Sequence, residues 1–299
     1  MKDKLSDIIT IMPAWADAND LQIKPFGGLT NTNYLVIANG ERFVVRISRA
    51  NSALLEINRE FELEALSAAS TAGIGPEVLR FTIPEGHLVT RLIEGRHWEI
   101  EEYSTPENLQ RMVKVLKRLH ALPPIRGTFS PFRRVESYAR KAGELDVAFP
   151  KDFELFLEKM RTIESDQSRD TYPWLRFCHN DLFAVNFLDD GEVRIVDWEF
   201  AGMGDIYFDL ATLVYAYDSD GPLPAELETY LLKCYFGETG SINRARIEGM
   251  KFMLLFFTAM WGLLQHGMQS KGLIPTTEDF NCLEYALDTF AEMRKSIQL

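Results

Sequence analysis

Two spacings of apolar residues divide the chain. In LQIKPFGGLTNTNYLVIANGERFVVRIS the alternation of apolar and polar positions predicts strands near Leu21–Lys24, Tyr34–Ile37 and Phe43–Ile47. Between the last two, Asn39-Gly40 supplies the pair of positive-φ residues that a tight hairpin needs. The spacing turns helical from Ala53 to Thr71, with Leu55, Phe61, Leu63, Leu66 and Ala69 near one face, and Gly73 to Pro76 ends the run. Two more strands are expected over Glu77–Thr82 and His87–Leu92. A five-stranded sheet with one long helix thus fills residues 1–95, and IEGRHW is the crossing to a second region, 96–299.

That second region is mainly helical. Helix starts are marked at Ser104-Thr105-Pro106-Glu107, at Pro222 to Glu226, and at Thr276-Thr277-Glu278-Asp279, where capping or proline residues precede acidic first turns. The one clear β signal is a hairpin, NFL and VRIVDW around Asp189-Asp190-Gly191-Glu192. FMLLFFTAMWGLL, from Phe252 to Leu264, falls short of the roughly 18 apolar residues of a spanning helix and reads as a core helix.

Composition narrows the function. The 299 residues are 46% hydrophobic, enough for a large core. A net charge of -12 argues against a nucleic-acid footprint and suits a cationic small molecule. Cys178, Cys234 and Cys282 are widely spaced, without a CxxC pair, so neither a disulfide framework nor a zinc site is expected. The opening MKDKLSDIITIMPAW reads as an amphipathic helix rather than a signal peptide, which points to the cytoplasm. Nothing in the sequence sets the oligomeric state.

The chemistry concentrates in FCHNDLFAVNFLDDGEVRIVDWEFAGMGD, Phe177 to Asp205. His179, Asp181 and Asn186 are spaced H-x-D-x-x-x-x-N, and Asp197 follows the hairpin. Phosphoryl transfer needs a carboxylate at the attacking hydroxyl and hard oxygen ligands for Mg²⁺. Asp181 suits the first task, Asn186 and Asp197 the second; taken singly, Asp181 and Asn186 read as turn formers and Asp197 as a strand-end residue capping a loop. Gly27-Gly28-Leu29-Thr30-Asn31-Thr32-Asn33 can close over phosphates with its amides and small side chains, or serve only as a hairpin turn. Arg46 on FVVRI is either solvated or turned inward to a glutamate of the next helix, where it would hold nucleotide phosphates. His120 and His179 read as structural residues.

Together, FCHNDLFAVNFL and IVDWEFAGMGDIYFDLATL resemble the choline and ethanolamine kinases, within the kinase-like superfamily that also holds aminoglycoside phosphotransferases. FGGLTNTNY, FVVRI, REFELEAL and GIGPEVL follow in that family's order. The resemblance implies an α+β bilobal fold, a small antiparallel five-stranded lobe above a larger, mainly helical one. It implies ATP in the cleft against TRLIEG, including Leu92 and Ile93, beneath Gly28, Thr30 and Asn31. It further implies Mg²⁺ at Asn186 and Asp197 with Glu199 close by, Asp181 as catalytic base, Arg46 on the nucleotide phosphates paired with Glu62, and Asp209 tying down the catalytic loop.

The acceptor it implies is choline or a related cationic alcohol, facing Trp198, Phe200, Tyr215, Tyr217 and Trp261, with Asp218 and Asp220 near for an ethanolamine-like ammonium. Thr258 stands where that family carries a second tryptophan. Ethanolamine, thiamine and aminoglycoside kinases are the neighbouring readings, and a catalytically inactive nucleotide-binding scaffold is the reading from another class.

Overall fold

The computed structural model describes residues 2–28, 31–168, 174–215, 221–237, 241–276 and 280–297. An N-terminal helix, α1 (Lys2–Ile11), leads into a sheet of β1 (Leu21–Pro25), β2 (Thr32–Ala38), β3 (Glu41–Ile47), β4 (Val78–Phe81) and β5 (Leu88–Arg91). The strand order is β1-β2-β3-β5-β4, antiparallel throughout. Asn39 and Gly40 take φ of 52° and 83°, so Ala38 pairs with Glu41 and the hairpin register follows. Every second residue of β2 and β3 then faces α1, and Tyr34, Val36, Phe43 and Val45 close a small core with Ile8, Ile11 and Trp15.

The helix α2 (Arg59–Thr71) begins six residues later than the apolar spacing predicts. Asn58 decides this: its side chain accepts from the Glu60 and Phe61 amides, and this cap outcompetes propensity upstream. Leu55 precedes the helix in a turn where Glu56 has φ 57°. The inward stripe is Glu62, Ala65, Leu66 and Ala69, whereas Phe61 and Leu63 are half-buried. Leu66 and Ala69 join the large core with the helical half rather than the small core under the sheet.

Beyond the crossover run α3 (Ile100–Tyr103), α4 (Pro106–His120), α5 (Pro131–Glu144) and α6 (Phe153–Ser168), then β6 (Leu175–Cys178). The hairpin β7 (Phe187–Asp189) and β8 (Val193–Ile195) follows, then β9 (Gly202–Asp205), α7 (Ile206–Val214), α8 (Ala225–Phe236), α9 (Ser241–Ser270) and α10 (Cys282–Ile297). Thr105 caps α4 by accepting from the Asn108 amide, as the spacing predicts. The helix expected after Thr276 starts instead at Cys282, where Asn281 accepts from the Glu284 amide; Thr277 to Asp279 lie outside the described residues.

β6 pairs with β9, a ladder the sequence did not reveal, because its four-residue strands are too short to show a period. Helix α9 is longer than its apolar run. Residues 244–270 are long and apolar enough to cross a membrane by length and composition, but 78% of an apolar 18-residue stretch within them is buried against the rest of the protein. Packing against α5, α7 and α10 makes it the central core helix.

Candidate active site

One cleft of about 1460 Å³ collects nearly every residue singled out above. Gly28 and Asn31 from the β1–β2 turn, Arg46 from β3, Glu62 from α2, and Leu92 and Ile93 from the crossover line it. Asp181, Asn186, Asp197 and Glu199 line it too, as do Phe200, Tyr215 and Trp261, joined by Phe280 and Tyr285. Thr30, Tyr217, Asp218 and Asp220 lie outside the described residues.

The loop after β6 is held by buried groups. Asp209, at 0% exposure on α7, accepts from the His179 amide at 3.0 Å and the Asn180 amide at 2.6 Å, and contacts His120 Nε2 at 3.0 Å. Asn180 has φ 65° and donates its side-chain amide to Phe200 O at 3.0 Å. His179 Nε2 meets Val196 O at 3.0 Å, and burial lowers its pKa to about 4, so it is neutral near pH 7. Buried and bonded to the Val196 carbonyl, the ring braces the loop against the end of β8.

Asn186 donates its amide to Asp181 Oδ2 at 2.9 Å and to Asp181 O at 2.7 Å. Its own carbonyl accepts from the Val196 amide at 2.9 Å, which brings the start of β7 beside the end of β8. Asp197, with φ 65°, turns its carboxylate into the cleft, 39% exposed, 3.9 Å from Arg46 Nη1. Confinement and the neighbouring Glu199 carboxylate raise the Asp181 pKa to about 7 and push the Asp197 carboxyl well above its ordinary value. Crowded carboxylates with too little positive charge among them form a site that a cation relieves. The side chains there, Asn186, Asp197 and Glu199, offer hard oxygen donors suited to Mg²⁺.

Arg46 reaches Glu62 at 2.5 Å and the Gly86 carbonyl at 2.9 Å. Arg59, which the sequence reading passed over, grips the other oxygen of Glu62 at 2.5 Å and Glu199 at 3.4 Å. The i,i+3 spacing of Arg59 and Glu62 is legible on a helix, but the link to Glu199, 140 residues away, is not. Asn31 donates to the same Glu199 oxygen at 3.3 Å. A buried carboxylate shared by two guanidiniums therefore joins the sheet, α2 and the loop after β8. Gly28 has φ +112°, and a Cβ there would stand 2.4 Å from Asn31 O, so only glycine allows the turn that brings Asn31 in.

The aromatics differ in how far they reach into the cleft. Trp198 is 1% exposed, donates its indole N–H to Ile195 O, and packs edge-on to His179 and Phe177. It is packed beneath the loop and adds only a sliver of its surface to the cleft wall. Trp261, by contrast, is half-buried at the cleft, with Phe280 and Tyr285 each 6.1 Å away between ring centroids. Thr258 also lines the cleft, and its hydroxyl is spent on Leu255 O.

An antiparallel five-stranded sheet over a mainly helical half, with oxygen-bearing side chains and a paired arginine meeting in one cleft, is the arrangement of a kinase-like phosphotransferase fold. The sequence model of the phosphotransferase enzyme family matches residues 22–241, and the chain belongs to that family.

Its similarities to individual proteins lie among the choline and ethanolamine kinases of that family. It is 28% identical over 239 residues to the protein LicA of Haemophilus influenzae, spanning 77% of this chain and 67% of that one. The choline/ethanolamine kinase family protein of Mesorhizobium loti superposes with a TM-score of 0.78 at 27% identity, over 100% of this chain and 95% of the other. The choline kinase LicA of Streptococcus pneumoniae shares the fold, with a TM-score of 0.77 at 20% identity over 98% and 97% of the two chains.

Proposed function

We propose that this protein moves the γ-phosphoryl group of ATP, with Mg²⁺, to the hydroxyl of choline or a closely related small amino alcohol. The observation that carries the proposal is that Asp181, Asn186 and Asp197 line the same cleft as the Arg46–Glu62 pair and as Trp261, Phe280 and Tyr285. A nucleotide on one side of the carboxylates and a compact cation on the other would meet in the middle.

In this reading Leu92 and Ile93 receive the adenine, while Arg46, kept extended by Glu62, holds phosphate oxygens. Asn186 and Asp197, with Glu199, would hold the divalent ion, which when bound offsets charge on the transferring group. Asp181 accepts the hydrogen bond of the acceptor hydroxyl and orients it. The hydroxyl oxygen bonds to the γ-phosphorus, the bond to the β–γ bridging oxygen breaks, ADP leaves, and the proton passes to Asp181. Trp261 and its neighbours offer ring faces to an ammonium group, worth roughly 0.5 to 2 kcal/mol each.

The division at residue 95/96 into a nucleotide-binding lobe and a catalytic, acceptor-binding lobe belongs to the same proposal, as does a cytoplasmic location. Transfer of radiolabel from γ-labelled ATP, screened over choline, ethanolamine, thiamine and kanamycin with and without Mg²⁺, tests it. Label on choline or ethanolamine supports the reading. Label on kanamycin alone would move the assignment to an aminoglycoside kinase, and nucleotide binding without any product would make the protein an inactive scaffold.

A further inference from the structure

Arg96 in the crossover and Asp189 at the end of β7 exchange two backbone hydrogen bonds, at 3.1 and 2.9 Å. The chains run so close that a Cβ on Gly95 would lie 3.1 Å from the Asp189 carbonyl group. The Asp189 carboxylate then gathers donors from three directions. Arg111 of α4 reaches both oxygens, each at 2.7 Å. The Trp98 indole nitrogen donates at 3.0 Å, and the Gly191 amide at 3.0 Å. The Arg111 guanidinium also lies 5.2 Å from the Trp98 ring centroid, and His97 Nδ1 meets Phe187 O at 2.9 Å. Arg111 and the other donors hold the Asp189 carboxyl far below the usual carboxylate range.

This clamp joins two segments of the cleft wall, although its carboxylate does not line the cleft. Leu92, Ile93 and His97 of the crossover line the cleft, as do Asn186, at the entrance to β7, and Leu188 within it. Asp189 is absent from that lining, yet it joins the two segments through backbone and side chain together. A bidentate, half-buried arginine–carboxylate pair has fixed geometry and outweighs a solvated surface pair.

We propose that Asp189 is a positioning residue: it sets the crossover wall of the nucleotide half against the hairpin that carries Asn186, so nucleotide affinity depends on a carboxylate that touches no ligand. The proposal rests on the nucleotide-binding reading given above. Asp189→Asn keeps an oxygen for Trp98 and Gly191 but loses the charge and the second oxygen that Arg111 grips. Arg111→Lys keeps the charge and loses the fork. Asp152→Asn is the control, because Asp152 makes a comparable two-bond pair with Arg294, at 2.6 and 3.0 Å, away from the cleft.

The test is calorimetric titration of the whole protein with a non-hydrolysable ATP analogue and Mg²⁺, alongside steady-state kinetics. The nucleotide dissociation constant is expected to rise at least fivefold in Asp189→Asn, less in Arg111→Lys, and not in Asp152→Asn. Acceptor KM, and kcat at saturating nucleotide, should stay within about twofold, since saturation restores the wall. Wild-type nucleotide affinity in Asp189→Asn, or an equal loss in Asp152→Asn, overturns the proposal. Arg111→Lys carries the same criteria if Asp189→Asn does not fold. Wild-type protein that binds no nucleotide would instead remove the functional reading itself.

Discussion

The side-chain amide of Asn186 donates to the Asp181 carboxylate at 2.9 Å, so the candidate metal ligand also orients the candidate base. Replacing Asp181 by Ala should lower turnover roughly 10²- to 10⁴-fold while nucleotide binding persists. Near-normal turnover would remove Asp181 from the base position.

The same carboxylate costs the resting protein stability. Its pKa is raised from 3.8 to about 7, so between those values the folded state binds the proton more tightly than the unfolded state, and stability falls as pH rises through that window. Asp181→Asn removes the charge and keeps an oxygen for the Asn186 amide. In the absence of ligands it should be more stable than wild type by about 1 to 2 kcal/mol at pH 8, with the gain shrinking toward pH 4. Thermal melts across that range decide this, and a less stable variant at pH 8 contradicts it.

His179 works in the opposite sense. Its folded pKa of about 4 lies below the ordinary 6.5, so acid protonates the unfolded chain first and stability drops as pH falls from 6.5 toward 4. Its contribution to that loss is about 2 kcal/mol by pH 5. Melting curves of wild type and His179→Gln at pH 7.5 and 5 should converge on acidification; a constant gap argues against a neutral imidazole.

Glu62 bonds Arg46 and Arg59 at once, at 2.5 Å each, with 1% of its side chain exposed. Glu62→Ala strands two buried cations and should cost about 3 to 5 kcal/mol in stability, together with a rise in KM for ATP. Gly86→Ala acts on the same cluster, because the added Cβ would lie 2.2 Å from Arg59 Nε at φ +79°. Chemical denaturation with matched nucleotide kinetics checks both, and unchanged stability in Gly86→Ala would show that Arg59 moves aside freely.

Trp261 lines the cleft beside Phe280 and Tyr285. Trp261→Ala should raise the acceptor KM about 3- to 30-fold, the equivalent of a cation–π contact, and leave KM for ATP within twofold. An unchanged acceptor KM would place the ammonium elsewhere.

Much of this was open to reading along the chain. Period-two runs with Asn39-Gly40, the cap at Thr105 and the H-x-D-x-x-x-x-N spacing are short-range features, and short-range geometry alone specifies hairpins, helix starts and the order of oxygen donors in a loop. The kinase-like α+β fold came with the family resemblance those motifs carry, and the loop-plus-hairpin order of Asp181, Asn186 and Asp197 suited their meeting. What lay beyond reach was long-range. How deeply Trp198 packs under the loop, against Phe177 and His179, depends on neighbours that the local sequence does not name. Arg59 finds Glu199 only when α2 docks on the loop after β8, and Asp189 finds Arg111 and Trp98 only when the crossover lies along β7. The sequence by itself therefore determined which groups are present and in which local turns; tertiary packing decided which charges are buried together, because ion pairing depends on distance in space and burial on neighbours from distant parts of the chain.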